Sequence, residues 1–409
     1  MGNNYSFAID EFATELKQHL NLSIPAWRTI KEDIQNFYPS EREESFSGFL
    51  NRVFYHFYPH ADASISLRLQ QQRAGFANMC SKETLKDLDE KTLDFCMRKS
   101  MDDYKEWLKQ RAFSYPSGHG EKFRINRQNL EILRESEEAA YYEGSIGQYL
   151  KAVFEEYALQ PAGARERIFF MDTVDKIEKA LSHQRKLKIV LSEKVDVKGV
   201  YHYSTKYYVS PYKIVQDRTG QFNYLVGYCE RIKEDKEVGE DGKERKTTVV
   251  QDKTIGCFRI SRIHQAAVMA SMGAKLSEEK KKALDYELER RTPMYMSSEV
   301  IDIKVLFSEK GLEMFRRTLF MRPHHYDVDP KDRHIYTIHC SKSQLRNYLF
   351  KFGWDAIVLE PKPIAERFLR GYERAVRTYH GEKREDILAE EKAVKEANAE
   401  RPLNEPANG

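Results

Sequence analysis

One pattern of apolar residues occurs twice in the chain, at a separation of one hundred residues. In both copies the apolar side chains recur at i, i+3, i+4, i+7, i+8 and i+11, which is one face of an α-helix. The first copy consists of Phe46, Phe49, Leu50, Val53, Phe54 and Phe57, and the second of Ile146, Tyr149, Leu150, Val153, Phe154 and Tyr157. The pattern predicts two amphipathic helices that belong to a duplicated unit.

The segments before these two helices also correspond. A short run of alternating residues spans 19–24 in the first copy and 122–126 in the second, and helices are predicted over about 25–37 and about 130–140. A strand this short cannot cover its own edge or its apolar side, so we expect the two strands to pair with each other. The order strand, helix, helix resembles the ribbon-helix-helix family. The resemblance implies an intramolecular pseudo-dimer.

The alternation also predicts which side chains face outward, because successive strand residues lie on opposite faces. Leu20, Leu22, Phe123 and Ile125 are expected to face the helices. The exposed face is then formed by His19, Asn21, Ser23, Lys122, Arg124 and Asn126. Polar and cationic side chains of these types suit base edges and phosphates, so this face is a candidate nucleic-acid surface. The alternative is that these are solvated strands that bind nothing.

The character of the chain changes between Lys186 and Ile263, where β-branched and aromatic residues alternate with polar ones. Five short strands with tight turns favour a small barrel. The almost wholly charged stretch 233–246 is predicted to be an exposed hairpin loop. Over 300–379 the order β-α-β-β-α-β suggests a ferredoxin-like sandwich.

The predicted barrel resembles the WYL domain in three segments. They are a proline before a strand at 209–214, a triplet at 223–225, and a closing Phe-Arg-x-x-Arg-Ile strand at 258–263. The first residue of the triplet is Asn223, where the family has tryptophan. The region after it is similar to the carboxy-terminal extension that accompanies WYL domains. The resemblance implies an Sm-like barrel that senses a ligand or a nucleic acid.

The resemblance also implies a binding pocket. By motif it is lined by Tyr224, Arg259 and Arg262, to which we add Tyr203, Lys206 and Tyr208 from the preceding strand. A guanidinium offers a rigid fork of donors to phosphate, and a tyrosine ring offers a face on which a base can stack. The alternative is that the two arginines pair with carboxylates to hold the barrel, while the tyrosine of the triplet only packs.

Together these features predict an α+β multidomain protein. Its parts are a tandem ribbon-helix-helix domain with a helical insert (1–163), a WYL barrel (164–275), a ferredoxin-like extension (276–384) and a disordered tail (385–409). This combination is similar to the WYL accessory proteins of type VI-D CRISPR RNA-guided RNases. The resemblance implies a homodimer, joined through the carboxy-terminal domain, that binds single-stranded RNA and increases RNA cleavage by the effector RNase.

Two rival functions remain open. In a DNA-binding transcriptional regulator, the ribbon reads a major groove and the WYL pocket senses a nucleotide-like effector. In a scaffold, a dimer holds two effectors together without binding nucleic acid. The first predicts a preference for a defined DNA duplex, and the second predicts no affinity for nucleic acid at physiological salt.

Composition narrows these alternatives only slightly. The formal net charge of +3 gives little long-range attraction for nucleic acid, so any such site needs a local concentration of cations. Five cysteines without CxxC spacing indicate buried or free thiols in a reducing cytoplasm. No apolar stretch is long enough to predict a membrane span.

The sequence contains no recognisable metal-binding or catalytic motif. His324, His325, His334, His339 and Cys340 lack the spacing of a zinc finger, and no Walker loop, nucleophile elbow or HExxH motif occurs. We therefore expect no metal, cofactor or catalysis.

Overall fold

The computed structural model describes residues 7–37, 46–58, 119–140, 142–195, 201–217, 219–238, 244–250, 254–296 and 299–390, with scattered helical positions between 95 and 110. Within these ranges the protein is an α+β protein with three antiparallel sheets. It divides into two compact units, residues 1–281 and 282–409. No helix in the described ranges is both long and apolar enough to span a membrane.

The two ribbon strands pair with each other, as predicted. Strand β1 (Glu15–Leu22) and strand β2 (His119–Asn126) form an antiparallel two-stranded sheet. The four side chains expected to face the helices are all buried, which confirms the predicted inner face. Both strands begin earlier than the sequence indicated, because most residues at their starts are polar and pair through the backbone.

Among the described residues, four helices pack with the ribbon. They are α1 (Ile24–Phe37), α2 (Phe46–Phe57), α3 (Arg127–Glu135) and α4 (Ile146–Leu159). The two predicted amphipathic helices, α2 and α4, meet through edge-to-face aromatic contacts, with the rings of Phe54 and Tyr149 6.2 Å apart. Of the predicted helical insert, residues 61–94 lie outside the described residues.

A six-stranded antiparallel sheet follows two further helices. The elements are α5 (Ala162–Phe169), α6 (Met171–Ser182), β3 (Arg185–Val195), β4 (Tyr201–Gln216), β5 (Asn223–Val238), β6 (Glu244–Val250), β7 (Thr254–Arg259) and β8 (Ile263–Gly273). The strand order is β6-β5-β4-β3-β8, and β7 also pairs with β5. Only the 3-10 turn Ile260–Arg262 separates β7 from β8. The sheet therefore curls so that the end of β7 comes close to the start of β8.

The charged stretch 233–246 is not the loop that the sequence predicted. Strand β5 continues to Val238, and residues Ile232–Val238 pair with Glu244–Val250 of β6. Ladder hydrogen bonds are made by the backbone, so a charged strand shows no apolar alternation by which it can be recognised. Residues 239–243 lie outside the described residues.

One hydrophobic core connects the ribbon, the helices and the sheet in the described part of the first unit. It includes Leu22 of the ribbon, Phe154 and Phe169 of the helices, and Ile189 and Leu225 of the sheet. The ribbon, the helices and the sheet therefore pack as one body, with contacts between α5 or α6 and the strands.

The second unit has a four-stranded antiparallel sheet. After α7 (Glu278–Arg290) come β9 (Ile301–Phe307), α8 (Glu309–Arg317), β10 (Tyr326–Val328), β11 (Ile335–Cys340), α9 (Lys342–Leu349), β12 (Ala356–Glu360) and α10 (Lys362–Tyr379). The observed order β-α-β-β-α-β is the predicted one, and the strands lie in the order β10-β11-β9-β12. Residues 384–390 are helical and Ile387 is buried, so the predicted disorder does not begin at residue 385. Residues 391–409 lie outside the described residues.

Candidate nucleic-acid interface

The outer face of the ribbon carries most of the predicted side chains. His19, Asn21, Lys122, Arg124 and Asn126 are all exposed. His19 lies opposite Lys122, and Arg124 lies opposite Lys17, a cation that the sequence analysis missed because β1 is longer than predicted. Alternation continued toward the start of the chain would have identified Lys17 as an outward residue. The outer face therefore holds three fixed positive charges in two cross-strand pairs.

Ser23 does not belong to this face, so its assignment to the exposed ribbon is wrong. Strand β1 ends at Leu22, and Ser23 is buried at the start of α1. Its N–H and its hydroxyl both donate to the carboxylate of Glu155, at 2.6 and 2.7 Å. A buried carboxylate requires such donors, so Ser23 holds α4 against the start of α1.

Other ribbon side chains are also committed to local structure. The Asn126 side chain caps α3 by accepting from the N–H of Asn129, at 3.0 Å. Arg124 lies 3.6 Å from the carboxylate of Glu15. The His19 ring packs against Gly120 of the opposite strand, where a Cβ would come within 2.8 Å of the ring. Lys17 and Lys122 are thus the least encumbered cations of the two strands.

Helix α2 covers the outer edge of β2 with two polar side chains. Ser47 Oγ accepts from the N–H of Arg124 at 3.1 Å, and the Asn51 amide donates to the Arg124 carbonyl at 2.8 Å. Asn51 also accepts from the N–H of Asn126 at 3.0 Å. Backbone groups at this edge are therefore satisfied within the chain, which opposes pairing with another strand.

Arg259, the centre of the predicted WYL pocket, is held by the first unit's own groups. It lies opposite Tyr224 in the β5–β7 ladder. Its guanidinium is 3.7 Å from the fully buried carboxylate of Glu166, donates to the Asn36 carbonyl at 3.1 Å, and stacks on the Phe222 ring at 3.3 Å. Burial lowers the pKa of Arg259, while Glu166 opposes that shift. These contacts match the alternative in which the arginine holds the barrel.

Asn223, at the position where the WYL resemblance implies a tryptophan, is part of the same cluster. Its backbone N–H and its side-chain amide donate to Glu166, at 2.5 and 3.0 Å, and the amide also donates to the Gly163 carbonyl at 2.7 Å. Burial raises the pKa of Glu166, and the donors from Asn223 and the charge of Arg259 oppose that rise. Asn223 therefore joins α5 to β5.

The remaining predicted pocket residues do not form one site. Tyr224 is 4% exposed, and burial raises its pKa to about 12. Arg262 is exposed on the 3-10 turn next to Arg259. Tyr208 lies opposite Glu230, six residues along β5 from Tyr224, which is about 20 Å of strand. The side chain of Tyr203 lies outside the described residues.

Lys206 and Tyr208 instead adjoin a basic cleft that the sequence analysis did not identify. In the β3–β4 ladder Tyr208 lies opposite Lys188, and Lys206 lies opposite Val190. Both β3 residues line a cleft of 590 Å³ where α2, α6, β3 and β8 meet. Its lining is Arg52, Asp172, Thr173, Lys176, Lys188, Val190, His264, Gln265, Ala266 and Ala267. We call this the α2–α6 cleft.

Three fixed cations and one histidine surround the α2–α6 cleft, with a single carboxylate. Arg52 stacks on the Phe169 ring at 4.7 Å and lies 3.9 Å from Asp172. These contacts orient its guanidinium from one side, while Lys176 and Lys188 enter from α6 and β3. Cations on several walls of one depression raise the local positive potential far more than the net charge of the chain indicates. The half-buried Tyr208 adds an aromatic side chain on the adjoining strand.

One histidine of the second unit, His339, has an electrostatic role. His339 lies between two carboxylates, 2.7 Å from Asp302 and 2.9 Å from Asp327. These hydrogen bonds raise its pKa. In the part of the chain that the structure describes, no group of three His, Cys, Asp or Glu residues is arranged to hold a metal ion.

Comparisons with known proteins identify a structural neighbour and no family. No family model matches the chain, and no curated protein matches it. A solved structure described as "Crystal structure of a CRISPR Cas-related protein" aligns with a TM-score of 0.62 and 21% identity, over 93% of this chain and 98% of that chain. Proteasome accessory factor B/C (PafBC) of Arthrobacter aurescens aligns with a TM-score of 0.19 and 14% identity, over 61% of this chain and 30% of that chain, which is too little to support an argument. The chain thus shares the fold of the CRISPR Cas-related protein over nearly its whole length.

Proposed function

We propose that this protein is a non-catalytic accessory protein of a CRISPR system that binds single-stranded RNA and stimulates an RNA-guided RNase. The observation that carries the proposal is the α2–α6 cleft, with Lys206 and Tyr208 on the strand beside it. Cations that follow a phosphate backbone, next to an aromatic ring on which a base can stack, are the usual means of binding single strands.

The geometry favours a single strand over a duplex at this site. The cleft lies at the junction of two helices and a sheet, so its walls contact a ligand from more than one side. A flexible strand can place individual phosphates and bases in such a depression, whereas a rigid duplex presents a wide convex surface. Base stacking contributes about 1–3 kcal/mol per base, and each phosphate contact adds a salt-dependent attraction.

Two considerations support the CRISPR context. The chain shares its fold with a protein described as CRISPR Cas-related. It also combines features that resemble a ribbon-helix-helix module, a WYL barrel and a ferredoxin-like extension, as in the WYL accessory proteins of type VI-D effectors. An effector RNase is therefore the proposed partner, and RNA bound in the cleft is the proposed link to RNA cleavage.

Exposed apolar residues in the second unit support a homodimer joined through that unit. On α10, Leu369, Val376 and Tyr379 follow the spacing i, i+7, i+10 and are 56%, 54% and 92% exposed. Trp354 is 81% exposed in the same unit. An apolar stripe along a helix is typical of helix–helix association, and a second copy supplies an identical stripe. The mass of the protein in solution, measured by light scattering, tests this part of the proposal.

The RNA-binding proposal is tested by fluorescence anisotropy with single-stranded RNA, single-stranded DNA and duplex DNA at about 150 mM salt, since affinity depends steeply on salt. The variant Lys176→Gln/Lys188→Gln changes two cleft cations. Lys179→Gln/Lys275→Gln is the matched control, because both lysines are exposed and neither lines the cleft. Arg262→Gln tests the pocket implied by the WYL motif.

We expect wild type to prefer single-stranded RNA, the cleft variant to bind it about tenfold more weakly, and the control to resemble wild type. The same proteins, added to target-activated effector with a fluorescent RNA reporter, should show loss of stimulation only in the cleft variant. Loss of RNA binding in Arg262→Gln with an unaffected cleft variant would move the site to the WYL pocket. Effector binding without any nucleic-acid affinity would indicate a scaffold.

The alternative function, a DNA-binding transcriptional regulator, is favoured by one observation. Lys17 opposite Arg124, and His19 opposite Lys122, form a compact basic group on a two-stranded antiparallel ribbon. Such a ribbon fits a major groove. In that case Lys122→Gln/Arg124→Gln abolishes binding to a promoter duplex, and the cleft variant leaves it unchanged.

A further inference from the structure

A second cluster of cations lies in the carboxy-terminal unit, between α9 and α10. A cleft of 620 Å³ is lined there by Arg346, Asn347, Phe350, Arg367, Arg370, Gly371 and Arg374. Neither the motifs of the sequence nor the proposed RNA site includes these residues. Four arginines in one depression require an explanation, because like charges repel when they are brought together.

The described lining of this cleft is strongly basic. It contains four arginines and no carboxylate. Arg370 lies 3.9 Å from Glu366 on the same helix, a contact between two exposed groups that offsets only part of this charge. Cations on several walls of one depression attract an anion from solution.

Helical spacing explains how the arginines converge. Arg367, Arg370 and Arg374 occupy positions i, i+3 and i+7 of α10, so they share one face of that helix. Arg346 enters from α9. Guanidinium groups are planar and bind phosphate oxygens in pairs, so four of them around one space suit a ligand with several phosphates.

An aromatic ring forms another wall of the cleft. Phe350 is 45% exposed, and its ring stacks on Tyr372 at 5.1 Å, which fixes its orientation. A Cβ on Gly371 would lie 3.0 Å from this ring, so glycine allows α10 to approach Phe350 closely. An oriented ring beside several guanidiniums can contact a base while they hold the phosphates.

We propose that this cleft, the α9–α10 cleft, binds a nucleoside polyphosphate. The guanidiniums of Arg346, Arg367, Arg370 and Arg374 hold the phosphate chain, and Phe350 contacts the base. The volume of the cleft lies within the range of about 300–1,000 Å³ that small-ligand sites occupy. The site is independent of the RNA-binding proposal, because it lies in the other unit and uses different residues.

The test is isothermal titration of the full-length protein with ATP and with inorganic tripolyphosphate. Arg367→Gln/Arg374→Gln removes two of the four charges. Arg316→Gln/Arg317→Gln is the control, since both arginines are exposed on α8, outside the cleft. Phe350→Leu tests the contact with the base.

We expect wild type to bind both ligands. Each charged hydrogen-bond donor contributes roughly tenfold in affinity, so the α10 variant should bind about 100-fold more weakly and the control should match wild type. Phe350→Leu should weaken ATP and leave tripolyphosphate unchanged. Lack of binding by wild type, or equal loss in the control, would overturn the site. Unchanged ATP binding in Phe350→Leu would overturn the nucleoside assignment. Wild type and the three variants should bind single-stranded RNA equally. If the α10 variant alone lost RNA binding and wild type did not bind ATP, the assignment of a small ligand would be wrong.

Discussion

The side-chain amide of Asn223 lies 3.0 Å from the carboxylate of Glu166, which is fully buried between α5 and β5. A carboxylate without solvent is stable only when donors surround it, and Asn223 supplies two of them. The asparagine thus forms a polar connection between a helix and the sheet.

A tryptophan at this position should destabilise the protein. Asn223→Trp removes donors to a buried charge and adds a large ring where Asn223 is 4% exposed, so we expect a loss of about 2 kcal/mol or more in the free energy of unfolding. Urea unfolding followed by circular dichroism measures this difference in the free energy of unfolding. Gln221→Trp, at an exposed position of the preceding turn, should be nearly neutral. Equal stability of wild type and Asn223→Trp would contradict a structural role for this amide.

The pair Arg259 and Glu166 should behave as a coupled unit. Arg259→Gln removes the cation nearest to Glu166, so the pKa of that carboxyl should rise further above its ordinary value. A buried acid with a raised pKa favours its protonated form, and its ionisation costs stability once the pH exceeds the pKa of the unfolded chain. The destabilisation by Arg259→Gln, about 2 kcal/mol near pH 7, should therefore decrease toward about pH 5.

The double variant Arg259→Gln/Glu166→Gln provides the control for this pair. It removes both charges, so it should be more stable than Arg259→Gln alone near neutral pH and should lose the extra dependence on pH. Urea unfolding of the three proteins at two pH values measures both effects. Strictly additive losses would show that the 3.7 Å approach of the two groups has no energetic consequence.

Salt dependence should report the α2–α6 cleft directly. For single strands the slope of log K against log salt is about −0.7 per phosphate contact, so Lys176→Gln/Lys188→Gln should reduce its magnitude by about 1.4. Anisotropy titrations with single-stranded RNA at several salt concentrations give the slope. The control Lys179→Gln/Lys275→Gln should keep the wild-type value. An unchanged slope in the cleft variant would show that neither lysine contacts a phosphate.

His339 should make the stability of the second unit dependent on pH. Hydrogen bonds to Asp302 and Asp327 raise its pKa in the folded protein. The stabilisation is therefore complete below the unfolded pKa of about 6.5 and is lost as the pH rises through the folded value. The destabilisation by His339→Gln should be largest near pH 6 and smallest near pH 9, as measured by thermal unfolding. His325→Gln, at an exposed position, serves as the control. A difference in stability between wild type and His339→Gln that increases with pH would contradict the stabilisation of His339 by the two carboxylates.

The ribbon shows how far local pattern determines structure. Leu20, Leu22, Phe123 and Ile125 were predictable as inward residues, because alternation along a strand depends only on neighbouring residues and on a buried side. Ser23 was predicted wrongly, since the strand ends at Leu22 and the Ser23 side chain contacts Glu155 of a distant helix. The β5–β6 hairpin was predicted with too long a loop, because the pairing of its charged strands depends on the backbone and not on apolar side chains.

The sequence by itself determined the duplicated helices, the paired ribbon and the order of elements in the second unit, because these follow from periodicities within short segments. Only the tertiary structure decided which cations share a site. Arg52, Lys176, Lys188 and His264 come from a helix, a second helix and two strands, and no local spacing relates them. The tertiary structure also places Tyr208 and Tyr224 on neighbouring strands, at positions about 20 Å apart along the strand direction. Periodicity identifies the face of an element, whereas a site depends on which faces the packed core brings together.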